Sequence, residues 1–368
     1  MSRSKWEVFL RGEDVGGMFA PLVDKWCLDE PYYWPFDQPE PFLERPEYHH
    51  FREQLAMAGV CGYDALFYVL PPFVYSHGIE TGVHKRIQDG REITETTIKT
   101  PYGDMVSVVE TDRSTSSRHE TKSFIETEED YRKFIWFTEM ERKLDKAQSV
   151  ARGRELLSPV GDKGMVGTWW NPPEVTGISA NDLFYHMVDY EELYREAVKA
   201  KFETDMNKLE TLKAMGFDFL FYVVPGTEMY SPSLMEEYVL PYTGLIFEKW
   251  RSLGGFIVWH SCGHIAEFIK RGYYDLFLPE IFETMSQPPV GNLPSLKWGR
   301  ERLDPRIATK GNIDLQLIRD GGEMELRAEV RRVMEETKGY RHIIGASDNI
   351  LQMTPAANLR VLADEACK

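Results

Sequence analysis

The stretch "GGFIVWHSCGHIAEFIKRG" (residues 254–272) decides the fold. Its apolar run from Phe256 to Trp259 reads as a buried strand, and the residues after Gly263 take on helical spacing, so the whole is one βα unit. The strand closes on His260-Ser261-Cys262. Residues i and i+2 of an extended chain face the same side, which directs the imidazole and the thiol to one point at the strand's carboxyl end.

The same unit recurs on both sides. Candidate strands lie at 165–169, 217–224, 256–262, 281–286, 306–313 and 341–346, with helical patterns at 190–215, 233–253, 323–336 and 356–366 among them. Two earlier apolar runs, 17–23 and 63–70, raise the strand count to eight. The fold class is therefore α/β, a (β/α)8 TIM barrel. Residues 85–124 have another texture: alternation, a "TPYGD" turn at 100–104 and no helical period, the pattern of a β-hairpin insertion. Residues 126–143 follow as a helix with an acidic first turn. With no repeat or low-complexity linker, the chain reads as a single barrel domain over 1–368, carrying an amino-terminal cap over 1–60 and the insertion over 85–124.

Composition narrows the function. Apolar residues make up 42% and aromatics 13%, ample for a large interior. The formal net charge of −16, without a stripe of Lys and Arg, argues against nucleic acid as a partner. The amino-terminal apolar run, Val8 to Leu10, is broken by Arg11, so it predicts neither a signal peptide nor a membrane span, and a cytoplasmic protein is expected. Four scattered cysteines (Cys27, Cys61, Cys262, Cys367) point to reduced thiols.

In a parallel barrel the mouth at the carboxyl ends of the strands is where chemistry occurs. A thiolate and an imidazole held together there make a good zinc pair, although a core histidine beside a buried cysteine has the same pattern. Glu283 lies within the next strand and Asp348 at the end of the last one. Carboxylates facing a barrel interior are costly unless paired or metal-bound. Asp348 can equally cap the loop before Thr354-Pro355. Trp169, Trp170 and Asn171 end the "MVGTWW" strand, as a platform for a flat substrate or as core packing. Glu228, in "VVPGTEMY", reads either as a general acid or hydrogen-bonding residue or as a solvated loop carboxylate. His264, on the first turn of the following helix, is expected to point away, and no pattern selects His77 or His84.

In order along the chain, "SPSLMEEYVLPY" (231–242), "HSCGHI" (260–265), "QPPVGN" (287–292), "KGNIDLQLIRDG" (310–321) and "TPAANLRVL" (354–362) resemble the uroporphyrinogen decarboxylase superfamily. Within it the chain is similar to the cobalamin-dependent methyltransferases, over about residues 90–366. The resemblance implies a zinc ion on His260 and Cys262. Related zinc methyltransferases of methionine synthesis add a glutamate about twenty residues later, which implies Glu283 as the third ligand. Where these relatives carry a further cysteine before "TP", this chain has Asp348, a harder donor that favours oxygen chemistry at the remaining position or holds His260 from outside the ligand set. The implied activity is demethylation of a small, O-methyl donor with transfer to a corrinoid. The chain has no D-x-H-x-x-G segment, so the corrinoid is expected on a partner protein. The decarboxylases' Arg-rich amino-terminal motif is missing, and residues 19–36, "FAPLVDKWCLDEPYYWPF", are aromatic instead, either as packing or as a cage for the donor. A decarboxylase-like lyase and a non-catalytic binding module for a corrinoid protein are the competing functions.

Overall fold

The computed structural model describes residues 3–23, 49–112, 118–179 and 181–368, with no side-chain description for residues 49 and 50. Most of the aromatic stretch 19–36, and Cys27 with it, lies outside the described residues. The chain divides into two compact units, one of residues 1–72, 150–172 and 212–368, the other of 73–149 and 173–211.

The first unit is built on a seven-stranded sheet of β1 (Ala65–Tyr68), β6 (Gly164–Trp170), β7 (Phe219–Val223), β8 (Phe256–His260), β9 (Ile281–Glu283), β10 (Ala308–Ile313) and β11 (His342–Ala346), in that spatial order. Every neighbouring pair is parallel. These strands are apolar and almost wholly buried, because helices such as Leu240–Ser252, Glu323–Glu336 and Ala356–Ala366 alternate with them. The segment 18–22 occupies the eighth place. Phe19 bridges Ile344 in parallel, and its carbonyl accepts from Asp64 N–H at 2.7 Å, just ahead of β1. Only isolated bridges form there, which is why the predicted strand at 17–23 is a connecting segment in regular-structure terms and still closes the ring.

The barrel interior is packed from alternate residues of successive strands: Leu66, Met165, Phe219, Phe256, Val258, Ile281, Ala308 and Ile343. The helix Arg3–Leu10 adds Trp6 and Phe9 to the same cluster. Arg3 pairs with Asp218, the residue before β7, so this helix plugs the amino-terminal end of the strands. The carboxyl ends of the strands lie opposite this plug.

The second unit contains an antiparallel sheet of β2 (Thr81–Gln88), β3 (Arg91–Ile98), β4 (Met105–Asp112) and β5 (Arg118–Lys122). The predicted single hairpin is thus a four-stranded meander. Its first turn is Asp89-Gly90, both at positive φ (50° and 78°), the backbone that a two-residue turn needs to match strand twist. Helix Glu128–Met140 follows, opened by Thr127, whose N–H donates to Asp130 at 3.0 Å.

One barrel residue gives a pH prediction. At the start of β11, the His342 ring is fixed between Thr309 Oγ1 and the Gly311 carbonyl, each at 2.8 Å. Burial, reinforced by Arg300 and Arg332, lowers its pKa from 6.5 to about 3. Between those values the unfolded chain binds a proton that the folded chain refuses, so stability falls as the pH drops through that window. Urea titrations at pH 7 and pH 5 are expected to show the loss in the wild type and a smaller one in His342→Asn.

Candidate metal centre

Barrel register sets the site. His260 pairs with Glu283 across β8 and β9, and Glu283 with Lys310 across β9 and β10, so three inward side chains stand side by side at one level. His260 Nδ1 lies 2.8 Å from Glu283 Oε1, and Lys310 Nζ donates to Glu283 Oε2. Glu283 is 1% exposed and Lys310 2%. The carboxylate's cost of burial is therefore met by two partners from flanking strands. Burial alone would raise the Glu283 pKa, but Lys310 and His260 hold it down to about 2.

One step further toward the mouth, three donor atoms converge. His260, Cys262 and Asp348 each offer one ligand atom, all within 4.8 Å of one another. His260 Nε2 stands 4.0 Å from Asp348 Oδ1. The Nδ1 contact to Glu283 leaves Nε2 as the nitrogen turned toward this group. Burial lowers the His260 pKa, yet the Cys262 contact, Glu283 and the Asp348 charge outweigh it and raise the value to about 9. The surroundings thus favour positive charge at this point.

The loop that carries Cys262 is tied down on both sides. Ser261 Oγ donates to the Val224 carbonyl at 2.7 Å, and Gly226 N–H donates to the Cys262 carbonyl at 2.8 Å. Glu228 accepts from His264 N–H at 2.8 and 3.0 Å. Gly263 sits at φ +81°, and a Cβ there would meet Glu228 Oε1 at 2.5 Å, so a larger residue at this turn would be strained and would displace Glu228.

The predicted residues therefore sort by position. His260, Cys262 and Asp348 meet, while both oxygens of Glu283 are engaged with His260 and Lys310. Glu228 lies in the loop, half-exposed and bonded to the His264 backbone. The helix after the site starts at Ala266, so His264 precedes it. Trp169 and Trp170 face opposite ways, as neighbours on a strand must. Trp169 stacks edge-on with Phe221 at 4.6 Å between centroids, and Phe221 lies 5.0 Å from the His260 ring, whereas Trp170 is buried elsewhere. Asn171 is exposed. Lys310 joins the site from outside the predicted residues. The alternation of "IATKGNI" carries the signal, since Ala308 faces the core and Lys310 shares its face.

The description Uroporphyrinogen decarboxylase (URO-D) matches residues 178–368, more than half of the chain. The chain belongs to the uroporphyrinogen decarboxylase family. All three converging residues of this URO-D chain, and Glu283 and Lys310 beside His260, fall inside the matched segment. Among solved structures, a methyltransferase from Methanosarcina mazei has the same fold, with a TM-score of 0.61 at 15% identity over 99% of this chain and 97% of that one. A B12-independent methionine synthase from Shewanella sp. W3-18-1 in complex with selenomethionine aligns over 96% of both chains at 13% identity, with a TM-score of 0.44. No curated protein matches the chain.

Proposed function

We propose that this URO-D family protein is a zinc-dependent methyltransferase that takes the methyl group from a small O-methyl donor and passes it to a corrinoid carried by a separate protein. The observation that carries the reading is the convergence of imidazole, thiol and carboxylate at the carboxyl ends of the barrel strands. The family membership and the fold shared with the Methanosarcina methyltransferase support it.

The donor set fits zinc. Tetrahedral bonds of 2.0–2.3 Å put ligand atoms about 3.3–3.8 Å apart, a small contraction from the separations seen. In this reading His260 Nε2, Cys262 Sγ and one Asp348 oxygen are the ligands, and Glu283 holds the imidazole from behind. Bound there, zinc supplies Lewis acidity toward the oxygen of the methyl donor. Glu283 keeps the Nδ1 proton in place and so keeps the Nε2 lone pair turned to the site. Lys310 prevents Glu283 from taking that proton, because it holds the carboxylate ionised. Trp169 and Phe221 set apolar rings along one side of the imidazole. Glu228 braces the loop that presents Cys262.

The test supplies purified protein with cob(I)alamin and a panel of methoxyaromatics, methylamines and betaines, and follows methylcobalamin by its absorbance. Transfer from an O-methyl donor, abolished by a chelator and restored by zinc, is the expected result. Failure with every donor, or decarboxylation of uroporphyrinogen, overturns the proposal.

A further inference from the structure

Tyr68 ends β1 with both its backbone groups bonded to the Gln54 side chain, each at 2.8 Å. Its ring is packed against Phe221, Phe219 and Trp169, at centroid distances of 4.7, 5.6 and 6.1 Å. The side chain is 4% exposed, yet its hydroxyl has no hydrogen-bond partner among the described residues. A buried tyrosine normally places its O–H on an acceptor, and leaving it without one costs roughly 1–3 kcal/mol. The Glu283 carboxylate, whose charge acts on the phenol, does not serve as that acceptor: its contacts are His260 and Lys310, and the Tyr68 hydroxyl makes none with it. Burial and the Glu283 charge raise the phenol's pKa well above its ordinary value, so it remains a donor.

We propose that Tyr68 Oη is the hydrogen-bond donor for the oxygen of a neutral aryl methyl ether, whose ring lies against Trp169 and Phe221. This rests on the methyl-transfer reading and names the substrate class for the same site. The buried hydroxyl demands a lone pair. An ether oxygen has one to give and adds no charge, while its apolar part matches an aromatic wall. A quaternary ammonium, or an amine protonated at neutral pH, has no lone pair and would leave the hydroxyl orphaned. Trp169, 41% exposed, is the wall residue that a ligand meets first.

The experiment is a cycle of two ligands and two proteins. Ethylbenzene has the same number of heavy atoms as methoxybenzene, with CH2 in place of the oxygen. Their affinities are measured by calorimetry on wild type and Tyr68→Phe, so the difference in the ligands' own hydrophobicity cancels. The ratio of the two affinities is expected to shift about tenfold against methoxybenzene in Tyr68→Phe, the size of one buried hydrogen bond. Trp169→Ala is expected to weaken both ligands alike. Tyr68→Phe should be at least as stable as wild type, since its hydroxyl has no protein partner to lose. An unchanged ratio, or no binding of methoxybenzene to folded wild type, overturns the proposal. Methyl transfer from tetramethylammonium without methoxybenzene binding also overturns it and leaves the methyltransferase reading standing. The tenfold shift without transfer from any donor sustains Tyr68 and overturns that reading instead.

Discussion

His260→Ala and Cys262→Ala are each expected to lose zinc from a protein that otherwise holds about one ion per chain. Three protein ligands are the minimum for an open catalytic site, and removing one leaves two, with affinity lower by roughly a hundredfold or more. Glu283→Gln separates two arrangements. As a residue that holds His260, Glu283 is worth roughly 10–100-fold in affinity, so its variant retains weak binding. As a ligand in its own right it would fail as completely as His260→Ala. Asp348→Cys is expected to keep the ion and bind it more tightly, because thiolate is the softer donor. Metal content after dialysis, and competition with a chromophoric chelator, check each case. Full zinc retention in both alanine variants would sink the site.

Much of this centre is legible in the amino-acid sequence, for definite physical reasons. The period-2 geometry of a strand is strict, so His260 and Cys262 are bound to share a face once the strand is recognised. The barrel follows from the count of apolar runs between helical patterns. What cannot be read is the vertical register between neighbouring strands. Glu283 is 21 positions after Cys262 in sequence, yet its ladder partner is His260, one level deeper. That single step separates a group converging with Cys262 from one that bonds His260 from behind. Lys310 was hidden for the same reason: its importance depends on standing beside Glu283, and no local pattern states that. The Asp89-Gly90 turn is a different case. The dipeptide is in the sequence, and with the turn at 100–104 it marks three of the meander's four strands.

Lys310→Met is expected to destabilise the protein by roughly 3–5 kcal/mol, the usual cost of leaving one member of a buried ion pair without its partner. Lys310 and Glu283 are both almost wholly inaccessible, so neither water nor salt can replace the missing charge. His260 alone would remain on the carboxylate, and the Glu283 pKa, held at about 2 by Lys310 and His260 together, would rise. A second substitution identifies the cause. Glu283→Gln in the Lys310→Met background removes the carboxylate that has lost its lysine, and most of the lost stability should return, since replacing both members of a buried pair is often nearly neutral. Urea unfolding of the single and double variants reads this directly. Zinc content divides the roles: the double variant recovers its fold but still binds zinc more weakly than wild type, because an amide anchors the His260 Nδ1 proton less firmly than a carboxylate. A single variant as stable as wild type would show that Glu283 has another compensating partner, and Lys310 would lose its place in the site. Recovery of stability together with wild-type zinc affinity would mean that the Glu283–Lys310 pair supports the barrel without tuning the imidazole beside it.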